Sequence, residues 1–199
     1  QWEAIKYSRR GLKNPPAALY TTEDALKTAE LLHPVAYHED FEPAPGIKVT
    51  YYDAGHILGS GSLRLEVTED DKTTSIIFSG DIGRPQALIV RDPESPPKAD
   101  YIFMESTYGD RNHKDEDISD QELADAIAYS YSKGEKVIIP AFAVERTQEI
   151  LYCLHILQSK GKLPADMPVF VDSPLAIRAT EVFRRNRELF DEDEIGRAH

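Results

Sequence analysis

From Ile47 to Asp81 apolar and polar residues alternate with a period of two, in IKVTYYDAG, SLRLEVTE and TTSIIFSGD. That period predicts half-buried strands, and the polar EDDK between the second and third predicts that those two form a hairpin. After the Pro-rich stretch RDPESPPKAD, the run YIFMES is short and continuously apolar, which predicts a strand buried on both faces. It ends in the polar turn TYGDRNH. From Ser119 the rhythm lengthens. Helical patterns (SDQELADAIAYSYSK, ERTQEILYCLHILQSK, PLAIRATEVFRRNRELF) alternate with the short apolar runs KVIIPAF and MPVFVDS, punctuated by Gly134 and Gly161. This alternation predicts parallel crossover units. Ahead of all of these, QWEAIKYSRR reads as the tail of an amphipathic helix, Asn14 to Pro16 as a break, and TTEDALKTAELL as a helix capped by Thr21 or Thr22. A strand-rich first half therefore meets an α/β second half between Gly109 and Ser119, with no internal repeat.

Composition narrows the class. The 41% apolar content over 199 residues suffices for one domain or pieces of two, each with a core. With 23 Lys and Arg against 35 Asp and Glu, the net charge of -12 disfavours indiscriminate binding to nucleic acid or anionic membrane, so a nucleic-acid site has to be a local basic patch. The single cysteine, Cys153, has no partner for an internal disulfide, and no apolar stretch is long enough to span a bilayer. A reducing cytoplasm is the expected location, and no membrane partner is expected. The two ends read as cut, since the first residues look like the end of a helix and the last follow an acidic run without a capping signal.

Three polar groups fall at the carboxyl ends of consecutive strands: His56 in DAGHILGS, Asp81 in FSGDIGR and Glu105 in MESTYG. Open α/β sheets place ligands at that rim. The small residues Ala54, Gly55, Gly80, Gly83 and Ser106 would let these loops crowd a common centre. An imidazole and a carboxylate suit a borderline cation such as Zn²⁺. Taken alone, His56 would be an ordinary turn histidine and Asp81 an Asx-turn residue; together, in this glycine-rich context, they read better as ligands. Glu105 is left open between a hydrogen-bonding carboxylate and a catalytic one. Two helix starts could hold phosphate, at Arg146 in AFAVERTQE and at Ser173 in VDSPLA, although for Ser173 the residues by themselves favour simple capping. His33, His38, His155 and His199 read as surface or core residues, and so does His113, despite its place in the turn after Glu105.

DAGHILGS (Asp53 to Ser60), FSGDIGR (Phe78 to Arg84), ESTYGDRNH (Glu105 to His113), PAFAVERTQEIL (Pro140 to Leu151) and VDSPLA (Val171 to Ala176), in this order, resemble the β-CASP family of metallo-β-lactamase-fold nucleases. The resemblance runs from about Tyr20 to Phe190. It implies an α/β fold in which residues 1–109 form part of a metallo-β-lactamase αββα sandwich and residues 110–199 the first part of an inserted α/β β-CASP domain. It also implies that His56 is a metal-binding histidine, Asp81 a metal-bridging and catalytic aspartate, and Glu105 a catalytic carboxylate paired with a downstream histidine in proton transfer to the leaving group. Arg146 and Ser173 become candidates for contact with the RNA backbone.

The same resemblance implies two zinc ions in the intact enzyme, with RNA as the partner cleaved, by metal-activated hydroxide. It expects the family's HxHxDH motif before Gln1 and the final histidine ligands beyond His199, so that these 199 residues alone would be inactive. Two other readings stand beside this one: a DNA-directed nuclease of the same superfamily, and a non-catalytic RNA-binding scaffold that keeps the fold. Self-association into a homo-oligomer, the mode of cutting and any sequence preference are left open.

Overall fold

A computed structural model describes residues 18–111 and 116–190, with backbone alone for 116–119. The chain divides into two compact units, residues 1–36 and 37–199. In the first, helix α1 (Thr22–Glu30) starts in a capping box: Thr21 Oγ1 accepts the Asp24 amide, and Asp24 returns a carboxylate to the Thr21 amide at 2.7 Å. Thr21 is thus the cap, and two otherwise orphaned amides are satisfied. The amphipathic segment expected at the start of the chain lies outside the described residues.

The second unit opens with a five-stranded sheet in the order β1-β2-β3-β4-β5. The strands are β1 (Phe41–Ala44), β2 (Ile47–Asp53), β3 (Gly61–Glu69), β4 (Lys72–Phe78) and β5 (Tyr101–Phe103). The first four pair antiparallel, and β5 joins β4 in parallel. Residues 79–100 make the crossover that a parallel pair requires. The expected β3–β4 hairpin is present. Glu69 pairs with Lys72 around Asp70 and Asp71, both at positive φ, as a two-residue primed turn demands. Strand β1 was not foreseen, because Pro43 lies inside it; Pro is tolerated on an edge strand such as this one.

YIFMES departs from expectation. Only Tyr101–Phe103 is strand, it lies at the sheet edge, and Ile102 is 62% exposed rather than buried on both faces. A continuous apolar run predicts an interior strand only if neighbours and covering layers are present, and among the described residues β5 has a neighbour on one side alone.

Helix α2 (Glu116–Ser132) packs with α3 (Arg146–Ser159) through Ala124, Ile127, Cys153, Leu154 and Leu157, joined by Leu163. Leu88, from the crossover, packs on this cluster and ties the sheet to the helices. Helix α4 (Pro174–Arg185) is capped by Ser173 and breaks at Asn186 into a short 3₁₀ turn, Arg187–Leu189, rather than running on through Phe190. Val90 bridges Phe190, and Arg91 donates to the Glu188 and Phe190 carbonyls.

The runs KVIIPAF and MPVFVDS form no strand among the described residues. A strand is stabilised by its ladder, and among the described residues neither run is paired in one; Ile138, Phe142 and Phe170 are each more than 80% exposed. No helix among the described residues is long and apolar enough to cross a membrane.

Candidate active site

Three loops meet at the carboxyl ends of β2, β4 and β5, and hydrogen bonds from named residues fix each of them. The first, residues 54–60, carries His56. Asp53 Oδ1 accepts the Gly55 amide at 2.8 Å, and Ser60 Oγ accepts those of His56 (3.0 Å) and Ile57 (3.2 Å). The next amide, Leu58, donates to Glu145 Oε2 at 3.2 Å, from far along the chain. Tyr37 donates its hydroxyl to the Ser60 carbonyl at 2.6 Å. Four consecutive amides are thus held by side-chain oxygens, while the His56 imidazole stays exposed. Gly55 has φ +59, and a Cβ there would lie 2.5 Å from the Pro93 nitrogen, so only glycine fits.

The second loop, residues 79–84, carries Asp81, also exposed. Buried Ser79 ties β4 to β5: its amide donates to the Phe103 carbonyl at 3.0 Å, and its Oγ accepts the Glu105 amide at 3.0 Å. Gly83 seals this loop onto the first. Its amide donates to Ala54 O at 2.8 Å, and a Cβ on Gly83 would sit 1.6 Å from the Gly55 carbonyl oxygen.

The third loop starts at Glu105, whose Oε1 accepts the Ile82 amide at 2.7 Å. That bond, followed by hydrogen bonds from Thr107 and the field of His56, holds the Glu105 carboxyl below the usual carboxylate range. His56, Asp81 and Glu105 therefore lie on loops bonded directly to one another, as their positions at strand ends suggested. The small residues earn their places here, at Gly55 and Gly83 above all.

The phosphate candidates are arranged differently. Arg146 opens α3 and pairs with Glu149 at 3.3 Å; Glu149 also reaches Arg84 of the Asp81 loop at 3.7 Å. Ser173 Oγ is engaged as the cap of α4, accepting the Ala176 amide at 3.2 Å. Gln148 links the two helices by donating to Thr180 Oγ1 at 2.9 Å. Of the other histidines, His38 pairs with Glu94 at 3.1 Å, His33 and His155 are exposed, and His113 and His199 lie outside the described residues.

The sequence did not single out Glu145. It reads there as the first residue of a helix, but the structure starts α3 at Arg146 and leaves Glu145 outside. Its side chain is buried, and burial pushes its carboxyl up to about 7. A glutamate directly after an apolar run was the one available signal.

An exposed imidazole and carboxylate on clamped loops fit a borderline cation such as Zn²⁺ in kind. They are short in number: among the described residues no group of three or more His, Cys, Asp or Glu converges on one point.

The Beta-Casp domain matches residues 147–197. The chain is 32% identical to Ribonuclease TTHA0252 of Thermus thermophilus, an alignment covering 94% of the chain and 47% of that protein. It is 37% identical to an RNase J-like protein of Methanocaldococcus jannaschii (82% of the chain, 38% of the relative) and 30% identical to Endoribonuclease YSH1 of Kluyveromyces lactis (88% and 23%). The chain spans less than half the length of each of these relatives. The domain match, these relatives and a mixed α/β fold that joins the motif-bearing loops at one sheet rim agree: the chain belongs to the β-CASP family of metallo-β-lactamase-fold proteins.

Proposed function

We propose that the full-length protein is a zinc-dependent ribonuclease and that this chain supplies one side of its active site. The observation that carries the reading is the direct bonding of the His56, Asp81 and Glu105 loops through Gly83 to Ala54 and Ile82 to Glu105. The relatives named ribonuclease and endoribonuclease support RNA as the substrate. The cytoplasmic location and the division of the chain at 109/110 belong to the same reading.

Bound zinc would supply Lewis acidity and a nucleophilic hydroxide at neutral pH. His56 and Asp81 would hold it. Each zinc needs about four ligands, so the remainder would come from the family's HxHxDH motif and later histidines elsewhere in the protein. Clamping every amide from Gly55 to Leu58 fixes where the imidazole sits without using the imidazole itself. Glu105, whose carboxylate accepts the Ile82 amide, would orient and charge-stabilise a protonated partner that passes a proton to the leaving oxygen. Arg146, largely exposed at the start of α3, would meet the RNA backbone.

The test measures zinc content and cleavage of RNA and single-stranded DNA by the full-length protein, with His56→Ala and Asp81→Ala beside it. We expect each variant to lose bound zinc and at least about 100-fold in RNA cleavage, in the range found when a group acting in the transition state is removed. Undiminished cutting by either variant would refute its assigned role. Equal cutting of DNA would favour the DNA-directed reading, and zinc-free native protein without activity would favour the scaffold.

A further inference from the structure

Glu145 combines two unfavourable features on one residue. Its backbone, at φ 66 and ψ -67, is the centre of a classical γ-turn closed by the Arg146 amide donating to Val144 O at 2.9 Å. That conformation is rare and strained for a residue with a Cβ, and glycine would adopt it freely. The residue is only 7% exposed, and among the described residues Oε1 has no hydrogen-bond partner, which carries a desolvation cost. Strain of this kind persists where the surroundings over-determine it, and it gathers at functional sites.

What the strain secures is a single contact. Of the four clamped amides in the His56 turn, Gly55, His56 and Ile57 are satisfied from within residues 53–60; among the described residues, Leu58 is satisfied by Glu145 alone. The neighbouring Glu149, on the first turn of α3, holds Arg84 of the Asp81 loop. The amino end of α3 thus grips both ligand loops.

We propose that Glu145 is a positioning residue for the active site, using its strained backbone to deliver a carboxylate oxygen to the Leu58 amide and so fix the turn that presents His56. The proposal rests on the reading of His56 as a metal ligand, through which Glu145 acts. Groups that orient metal ligands from outside the coordination shell are worth roughly 10–100-fold in metal affinity.

The experiment uses the full-length protein with Glu145→Gly, which removes the carboxylate and relieves the backbone, and Glu145→Gln, which keeps an acceptor of the same shape. Two quantities are read: hydrogen-exchange protection of the Leu58 amide in chelator-treated protein, and zinc affinity by competition with a chromophoric chelator. In Glu145→Gly we expect Leu58 protection to be lost and zinc affinity to fall about tenfold or more, without a fall in the unfolding midpoint. Glu145→Gln should restore both. A protected Leu58 amide in Glu145→Gly, or native zinc affinity in that variant, would overturn the proposal. His56→Ala serves as the control: if it leaves zinc affinity intact, the ligand reading fails, while the Leu58 amide still decides whether Glu145 holds the turn.

Discussion

Gly83 is the residue on which the meeting of the His56 and Asp81 loops depends most directly. With 1.6 Å between its would-be Cβ and the Gly55 carbonyl oxygen, any side chain must drive the loops apart. Gly83→Ala should therefore destabilise the protein by about 2 kcal/mol or more, the upper part of the usual overpacking range, and weaken zinc binding at the same time. Urea unfolding of the chelator-treated variant reads the first effect and chelator competition the second; unchanged values for both would show that the loops do not meet as described. The site was legible at this scale wherever a chemically distinctive residue sat beside small ones at a strand end, as at His56 and Asp81. Glu145 was not, because a glutamate ahead of Arg-Thr-Gln suits the first turn of a helix, where negative charge is favourable. Its burial and its reach to Leu58 exist only in the folded chain.

Among the elements, those with local signals formed where the sequence put them. TTEDALKTAE carries its cap and its capping carboxylate within four residues, and the β3–β4 hairpin carries its turn between two alternating runs. The hairpin also offers a local test. Asp70 and Asp71 both adopt positive φ, and primed turns favour glycine at the second position. Asp71→Gly should raise stability by about 0.5 kcal/mol, measured as a higher urea midpoint with the same slope. A lower midpoint would mean that the Asp71 side chain contributes more than its backbone conformation costs. KVIIPAF and MPVFVDS had equally good β patterns and formed no ladder, because a strand depends on a neighbour that its own sequence does not contain. The same dependence leaves Tyr101–Phe103 a short exposed edge strand.

In the molecule as a whole, apolar side chains remain uncovered: Ile138, Phe142 and Phe170 are each more than 80% exposed, and Met104 is 69% exposed. Exposed apolar surface binds hydrophobic dyes and promotes association. These 199 residues expressed alone should therefore bind such a dye, and the triple substitution Ile138→Thr, Phe142→Thr, Phe170→Thr should lower that fluorescence at least about twofold. Equal dye binding by the triple variant would place the exposed surface elsewhere. The sequence by itself determined helix α1, the cap of α4 at Ser173, the β3–β4 hairpin, the net charge of -12 that confines any nucleic-acid contact to a local patch, and the residue types offered as metal ligands. Each of these follows from local periodicity, turn chemistry or side-chain chemistry. Only the tertiary structure decided that the three loops bond to one another, that Gly83 is sealed against Gly55, and that Glu145 leaves its helix to hold the His56 turn. These are contacts between residues far apart in the chain, set by close packing, and no local pattern encodes them.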